Sequence, residues 1–294
     1  MLALVLSGGG IYGAAHVGVV SALEEMGIVP DLVVGTSAGS LVAGVWAAGY
    51  GSSVLTRMTL DLSARDVPVD WRAMLRSVLR RGHWPDRVMN PEPLLRKAET
   101  LIGRLSVRTA PRPCYITATS LTARRVMVFG PPLQEDSLSG DALKVESWPV
   151  DVPIVTAMAA STAVPGLFRP VFLDGHWLVD GGVMDDYPLD VAVMAGATRA
   201  IGVYIDDRGA ALTDPRDPPH IITTAGASLN LLLNDSSWVR RHLVAERYGI
   251  PRVEIPIPVT GMGLTDFRQI PTLIARGVEE TRKRAEALER LAAA

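Results

Sequence analysis

The 294-residue sequence has one cysteine, Cys114, and almost no charge imbalance, with 29 lysines and arginines against 31 aspartates and glutamates. A single cysteine excludes an intramolecular disulfide framework and is compatible with a reducing compartment. The formal net charge of −2 lacks the basic excess that is typical of nucleic-acid-binding proteins. We therefore expect no nucleic-acid partner.

Long apolar runs are also absent. No stretch approaches the ~18 uninterrupted apolar residues of a transmembrane helix. The apolar run after Met1 is too short for a signal peptide and has no basic segment before it. The sequence contains no H-E-x-x-H, no EF-hand loop and no Cys/His cluster. These absences predict a cytoplasmic protein, and 48% hydrophobic residues are enough for a sizeable core.

The first fifty residues alternate in the order strand, glycine loop, helix, strand, turn, helix. This alternation predicts an α/β protein with a parallel sheet covered by helices. We find no internal repeat and no low-complexity linker, so residues 1–294 are predicted to form one domain. Within it we predict a helical, lid-like segment at about 52–110, an irregular loop at 131–150, a helix at 221–248 and a C-terminal helix at 269–291.

The most informative local pattern is Gly35-Thr36-Ser37-Ala38-Gly39. It lies between a short apolar run and an apolar segment with helical length, and G-x-S-x-G in that context is a nucleophile elbow. The two glycines allow strand and helix to approach closely around a strained serine. The helix N-terminus behind the serine presents free N–H groups to a developing oxyanion. An ordinary small-residue turn is the alternative.

A second glycine loop, with Gly8, Gly10 and Gly13, follows the first predicted strand. It satisfies G-x-G-x-x-G, but the acidic residue that a dinucleotide site needs about 20 positions later is missing. Adjacent parallel strands would instead place this loop beside Ser37, where its N–H groups and that of Ala38 form an oxyanion hole. The loop donors are Gly9, Gly10 and Ile11. A dinucleotide-binding oxidoreductase stays as the weaker alternative.

A serine nucleophile needs a proton acceptor. None of the five histidines has a motif around it; they are His16, His83, His176, His220 and His242. Asp180 instead ends an apolar strand and is followed by Gly181 and Gly182, which permit close approach. Aspartate normally titrates near ~3.9 and becomes a useful base only where burial raises its pKa. The alternative for Asp-Gly-Gly alone is a turn.

Taken together, GGGIYG, GTSAG and DGG, with Ala160-Ser161-Thr162-Ala163-Val164-Pro165 and Phe168 before the last of them, resemble the patatin-like phospholipase family. The resemblance implies a three-layer α/β/α fold with a mostly parallel central sheet, and a Ser-Asp dyad that uses no histidine. By position, Ser37 is the nucleophile, Asp180 the base and Gly8 to Gly13 the oxyanion loop. The motif glycines are Gly35, Gly39, Gly181 and Gly182. The loop departs from many relatives at Ile11-Tyr12, where they carry a basic or small residue.

The resemblance implies a bacterial-type lipid acyl hydrolase that cleaves carboxylic esters through an acyl-enzyme, as a phospholipase A, lysophospholipase or esterase. It also implies a reaction without calcium, another metal or a cofactor, in agreement with the metal-binding motifs that the sequence lacks. An acyltransferase with the same dyad and a non-catalytic lipid-binding module are the alternatives. The head group, acyl length, position of cleavage and oligomeric state stay open.

The stretch from Trp71 to Arg81 places apolar residues on one helical face and arginines on the other. A basic amphipathic helix of this kind is a candidate for peripheral membrane contact. An ordinary lid helix that packs its apolar face on the core is the more common use of this pattern. Both interpretations stay open, with the lid helix favoured.

Overall fold

The computed structural model describes residues 1–71, 87–134, 144–206, 239–244, 246–260, 262 and 266–294. Within these ranges the chain forms a nine-stranded sheet. The strands are β1 (Leu2–Leu6), β2 (Leu32–Thr36), β3 (Cys114–Ser120), β4 (Arg125–Phe129), β5 (Val145–Ser147), β6 (Val171–Leu173), β7 (His176–Asp180), β8 (Arg199–Asp206) and β9 (Arg252–Pro258).

The main path of the sheet runs β5-β4-β3-β2-β1-β8-β9, and β6 and β7 form a hairpin whose second strand also pairs with β3. Strands β3, β2, β1, β8 and β9 are mutually parallel neighbours. Strand β4 joins β3 antiparallel, and so does β7. The predicted mostly parallel central sheet is confirmed.

Eight α-helices accompany the sheet in the described ranges: α1 (Ala14–Glu25), α2 (Ala38–Ala47), α3 (Ser52–Leu60), α4 (Glu92–Ile102), α5 (Ile154–Ser161), α6 (Leu189–Met194), α7 (Ile270–Arg282) and α8 (Ala285–Ala293). Residues 239–244 and 246–248 are also helical. None of the helices in the described part of the chain combines the length and apolarity needed to cross a membrane.

Helices cover both faces of the sheet, and the central strand β1 is therefore buried on both sides. In β1, Leu4 and Leu6 point into the core shared with α1, α2 and α7, whereas Ala3 and Val5 point into the core shared with α6. Successive side chains of a strand point to opposite faces, so a continuous apolar strand requires two covering layers. This gives the α/β/α arrangement.

The C-terminal helix predicted at 269–291 is two helices. The backbone of Arg284 leaves the helical region, with φ −113° and ψ 13°, between α7 and α8. Helix α7 stays against α1, where a Cβ atom on Gly277 would meet the carbonyl oxygen of Ala15. The break lets Leu288 and Leu291 of α8 reach the core while α7 follows α1.

One further prediction is wrong in part, and two others fall mostly on residues that the structure does not describe. The loop predicted at 131–150 contains β5, whose residues pair with Val126 to Val128 of β4 through backbone hydrogen bonds. Most of the basic stretch from Trp71 to Arg81, and most of the helix predicted at 221–248, lie outside the described residues. The hairpin predicted around Asp174-Gly175 is present as β6 and β7.

Candidate active site

Two strand ends meet on one edge of β3 and bring the predicted dyad together. Strand β2 runs parallel to β3 and ends at Thr36, which pairs with Thr117. Strand β7 runs antiparallel to β3 and ends at Asp180, which pairs with the next residue, Ala118. The other edge of β3 is taken by β4. Ser37, directly after β2, therefore lies beside Asp180, 143 positions later in the chain.

Ser37 occupies a strained backbone conformation, with φ 51° and ψ −121°. Non-glycine residues rarely adopt positive φ, and such strain is typical of functional turns. The turn is possible because its neighbours lack side chains: a Cβ atom on Gly35 would lie 2.5 Å from the Gly39 carbonyl oxygen. The N–H of Ser37 donates to Oγ of Ser161 at 2.8 Å, and α2 begins at Ala38.

Asp180 is 6% exposed, and both its backbone and its side chain form hydrogen bonds. Its N–H donates to the carbonyl of Ala163 at 3.0 Å, and its Oδ1 accepts the N–H of Gly182 at 2.8 Å. Its Oδ2 is buried and accepts no hydrogen bond at ordinary geometry. The Ser37 side chain nevertheless lies close enough to lower the pKa of this carboxyl. Catalytic hydrogen bonds are often long before substrate binds.

The protonation of Asp180 follows from its surroundings. Burial is the largest effect and raises the pKa of the carboxyl from 3.8 to about 7. Ser37 and the Gly182 N–H oppose that rise, while the nearby Asp186 carboxylate adds to it. An aspartate with this pKa is a far better proton acceptor near neutral pH than an exposed one.

The turn after Asp180 is fixed by threonines at the strand ends. Oγ1 of Thr119 donates to the carbonyl of Gly181 at 3.2 Å, and Oγ1 of Thr36 donates to the carbonyl of Asp185 at 3.0 Å. A Cβ atom on Gly181 would lie 2.5 Å from Oγ1 of Thr117. Glycine is therefore required where the turn passes the end of β3.

The glycine loop lies beside this turn because β1 and β2 are adjacent and parallel. The N–H of Gly8 donates to the carbonyl of Asp186 at 3.1 Å, so it anchors the loop. Residues Gly10–Gly13 form a 3₁₀ turn, and the first N–H groups of such a turn, those of Gly10 and Ile11, have no partner within it. A Cβ atom on Gly13 would clash with Cβ of Ala38, so loop and helix α2 are in direct contact.

Two of the described histidines, His16 and His176, have hydrogen-bond partners other than Ser37. Nε2 of His16 lies 2.9 Å from the carbonyl of Ser7, and burial lowers the pKa of His16 to about 4, so it is neutral and donates there. Nδ1 of His176 lies 3.0 Å from Oγ of Ser120. His83 and His220 lie outside the described residues. The carboxyl group whose pKa the Ser37 side chain lowers is that of Asp180.

Three residues for which the sequence patterns predicted no role complete the surroundings of Ser37 and Asp180. Asp186 places its Oδ1 against Gly8 and 3.0 Å from where a Cβ atom on Gly182 would be. Burial raises the pKa of Asp186 to about 6. Its position six residues after Asp180 is the only local signal. Ser161, which accepts the Ser37 N–H, lies in the segment from Ala160 to Pro165 that carries part of the family resemblance.

The third is Arg240, which forms ion pairs with two buried carboxylates that follow the turn in the chain. Its Nη2 lies 2.6 Å from Oδ2 of Asp190, and its Nε lies 3.2 Å from Oδ1 of Asp185. Both carboxylates are buried, and burial raises the pKa of Asp185 although the guanidinium opposes the rise. Arg240 is at least 50 residues from both partners, so no local pattern predicts it.

Comparison with known proteins identifies the family of this chain. The family model described as patatin-like phospholipase matches residues 4–193, a span that includes the glycine loop, the elbow and the DGG turn. The chain belongs to the patatin-like phospholipase family.

Individual relatives and one solved structure are also similar to this chain. An uncharacterised NTE family protein of Mycobacterium tuberculosis is 28% identical over 228 residues, 76% of this chain and 53% of that protein. The human patatin-like phospholipase domain-containing protein 6 is 29% identical over 204 residues, 69% of this chain and 13% of that protein. The chain thus spans about half the length of the former and much less of the latter. VipD from Legionella pneumophila aligns with a TM-score of 0.49 at 15% identity, over 98% of this chain and 67% of that one.

Proposed function

We propose that this protein is a serine acyl hydrolase that cleaves carboxylic esters of lipids through a Ser37–Asp180 dyad. The observation that carries the proposal is the meeting of a strained Ser37 with a buried Asp180 on one edge of β3. Family membership supports lipid esters as the substrate class. The pKa of about 7 suits Asp180 to accept a proton near neutral pH.

In the proposed first half-reaction, Oγ of Ser37 attacks the ester carbonyl carbon while its proton passes to Oδ2 of Asp180. The carbonyl oxygen becomes an oxyanion in a tetrahedral intermediate. As the carbon–oxygen bond to the alcohol breaks, Asp180 returns the proton to the leaving alkoxide. The products are an acyl-enzyme ester on Ser37 and a free alcohol or lysolipid.

In the second half-reaction, water attacks the acyl carbon and gives its proton to Asp180, which then protonates the departing Ser37 oxygen. The carboxylic acid leaves and ionises, and the dyad is restored. The N–H groups of Gly9, Gly10, Ile11 and Ala38 are the proposed oxyanion donors. One such donor contributes about 10²–10³ in rate in serine hydrolases.

The direct test is hydrolysis of p-nitrophenyl esters over a series of acyl lengths, with and without a chelator. We expect release of p-nitrophenolate that needs Ser37 and is unchanged by the chelator, with a chain-length profile that reports the depth of the pocket. Product analysis with an added alcohol would separate hydrolysis from acyl transfer. If no ester is cleaved at any length, the hydrolase proposal is wrong.

The pH dependence provides a second prediction. Because the base must be ionised, kcat/KM is expected to rise with pH through about 7 and to reach a plateau above it. The Asp186 carboxylate raises the pKa of Asp180, so Asp186→Asn is expected to move the midpoint of that rise to lower pH. The measurement is kcat/KM from pH 5 to 9 for both proteins.

Asp174→Asn is the matched control, since Asp174 is exposed at the tip of the hairpin and away from Asp180. It should leave the midpoint unchanged. An Asp186→Asn profile that coincides with the wild type would show that Asp186 has no influence on the base. Because the carboxyls of Asp180 and Asp186 interact, the midpoint of the pH profile describes the titration of this pair.

A further inference from the structure

The backbone of Asp185 and Asp186 forms hydrogen bonds to three parts of the candidate active site. The N–H of Asp185 donates to the carbonyl of Gly181 at 2.8 Å, and its carbonyl accepts Oγ1 of Thr36, at the end of β2, at 3.0 Å. The carbonyl of Asp186 accepts the N–H of Gly8 at 3.1 Å. A shift of these two residues would therefore move the DGG turn, the end of β2 and the glycine loop relative to one another.

The side chain of Asp185 is buried next to other carboxyl groups. Asp190 is buried as well, and both Asp190 and Asp186 add to the effect of burial in raising the pKa of Asp185. Carboxylates that are held together out of water repel each other, and each is unfavourable unless a cation lies beside it. The position of this segment therefore depends on a positive charge at this place.

Arg240 supplies that charge through three different nitrogen atoms. Its Nη2 lies 2.6 Å from Oδ2 of Asp190, and its Nε lies 3.2 Å from Oδ1 of Asp185. Its Nη1 donates to the carbonyl of Met184 at 3.5 Å. A guanidinium group presents its N–H groups in a fixed plane, whereas a lysine would offer one mobile point charge. The guanidinium therefore fixes the residues it contacts in one geometry.

The helical residues that carry Arg240 are themselves packed on the fold. Val244 is buried in the core between the sheet and α6. The guanidinium carbon of Arg241 lies 3.8 Å from the ring centroid of Tyr204, on β8. The side chain of Arg240 is 15% exposed. Its place is thus set by packing that is independent of the DGG turn.

We propose that Arg240 is a positioning residue of the candidate active site: its guanidinium holds Asp185 and Asp190, and thereby the segment that joins the DGG turn, the end of β2 and the glycine loop. The inference rests on the proposed function for the reaction that this geometry serves. Arg240 acts on that reaction through the distance between nucleophile, base and oxyanion donors. Such distances are critical, since a displacement of about 1 Å can lower a rate by about 10²-fold.

The first test is steady-state hydrolysis of a short, water-soluble p-nitrophenyl ester. Arg240→Met is expected to lower kcat by about 10²-fold and to change KM by less than about threefold, because the catalytic groups move while the ester is still bound. Arg240→Lys keeps the charge but loses the planar fork, so its kcat should fall by about tenfold or less. A partial recovery by lysine is not expected if the side chain only fills space.

Arg284→Met is the matched control. Nη1 of Arg284 lies 2.8 Å from Oε2 of Glu280, a buried carboxylate, so this variant also removes the cation beside such a group. The pair is near the C-terminal end of α1, where Arg282 contacts Glu25, whereas the glycine loop precedes the start of α1. Arg284→Met is expected to unfold at a lower urea concentration and to keep the wild-type kcat.

The second test measures the position of the segment without using activity. In hydrogen exchange followed by mass spectrometry, Arg240→Met is expected to exchange about tenfold faster than the wild type in the peptides that contain the N–H groups of Gly8 and Asp185. Peptides from 276–290 should be unchanged in Arg240→Met and faster in Arg284→Met. If Arg240→Met does not fold, Arg240→Lys and Asp190→Asn, which removes one of the two ion pairs, are measured in its place.

The outcomes distinguish this inference from the proposed function. Wild-type kcat in a folded Arg240→Met protein, or in both replacement variants, overturns the positioning role, and so does an equal loss of kcat in Arg284→Met. Unchanged exchange at Gly8 and Asp185 also overturns it. If the wild type hydrolyses no ester, the proposed function is wrong, and the exchange measurement still decides whether Arg240 holds the segment.

Discussion

Replacement of Ser37 by alanine is expected to abolish ester hydrolysis, with a loss in kcat of about 10⁴-fold or more, as is found when serine hydrolases lose their nucleophile. The physical reason is that the acyl-enzyme cannot form without Oγ, whereas the rest of the site still binds substrate. The measurement is steady-state hydrolysis of the best p-nitrophenyl ester, together with mass spectrometry of the protein after reaction with a fluorophosphonate. The adduct should form on Ser37 in the wild type only.

Ser53→Ala is the control, because Ser53 is an exposed serine on α3. It should retain the wild-type rate and the Ser37 adduct. Since alanine meets the same positive φ as serine, Ser37→Ala should unfold at nearly the wild-type denaturant concentration. Wild-type activity in a folded Ser37→Ala protein would show that another residue is the nucleophile.

Asp180→Asn is expected to lower kcat by about 10²–10⁴-fold, the usual contribution of general acid–base catalysis. Asparagine has nearly the same shape and keeps an Oδ1 that can accept the Gly182 N–H at 2.8 Å. What it loses is the ability to take the Ser37 proton. The fluorophosphonate adduct on Ser37 should therefore form much more slowly, and the rise of kcat/KM near pH 7 should disappear. A retained rise would place the base elsewhere.

For the same variant we also predict a change in the free energy of unfolding that a purely structural role of Asp180 would not produce. Folding raises the pKa of Asp180 from 3.8 to about 7, so the folded state holds this proton more tightly than the unfolded state. The contribution of this carboxyl to stability is therefore greatest below about pH 4 and is lost as pH rises toward 7. Asp180→Asn removes that loss, so its free energy of unfolding at pH 8 should exceed that of the wild type by on the order of 1 kcal/mol or more.

Urea unfolding of the two proteins from pH 4 to pH 8 gives this difference directly. It should shrink toward pH 4, where the wild-type carboxyl is protonated in the folded state. Asp174→Asn, on the exposed hairpin tip, should track the wild type across the range. An Asp180→Asn protein that is less stable than the wild type at pH 8 would contradict the account of a carboxyl destabilised by burial.

Features that depend on neighbouring residues could be predicted from the sequence. Gly35 and Gly39 permit the strained turn at Ser37, and Asp174-Gly175 forms the turn of the hairpin. The alternation of strands and helices in the first fifty residues predicts a parallel sheet. These predictions succeed because steric limits on φ, and the period of apolar residues, act over a few positions. The mostly parallel fold, and the family, followed from the same short patterns.

The way in which these segments meet depends on the tertiary structure. Whether Asp180 reaches Ser37 depends on β2 and β7 ending at consecutive residues of β3, a register set by sheet pairing rather than by either motif. Tertiary structure also forms the hydrogen bond from the Gly8 N–H to the carbonyl of Asp186 and the ion pair between Arg240 and Asp190. The break at Arg284 likewise follows from the separate packing of α7 and α8. Contacts between distant segments arise from burial and chain topology, so a local sequence pattern does not predict them.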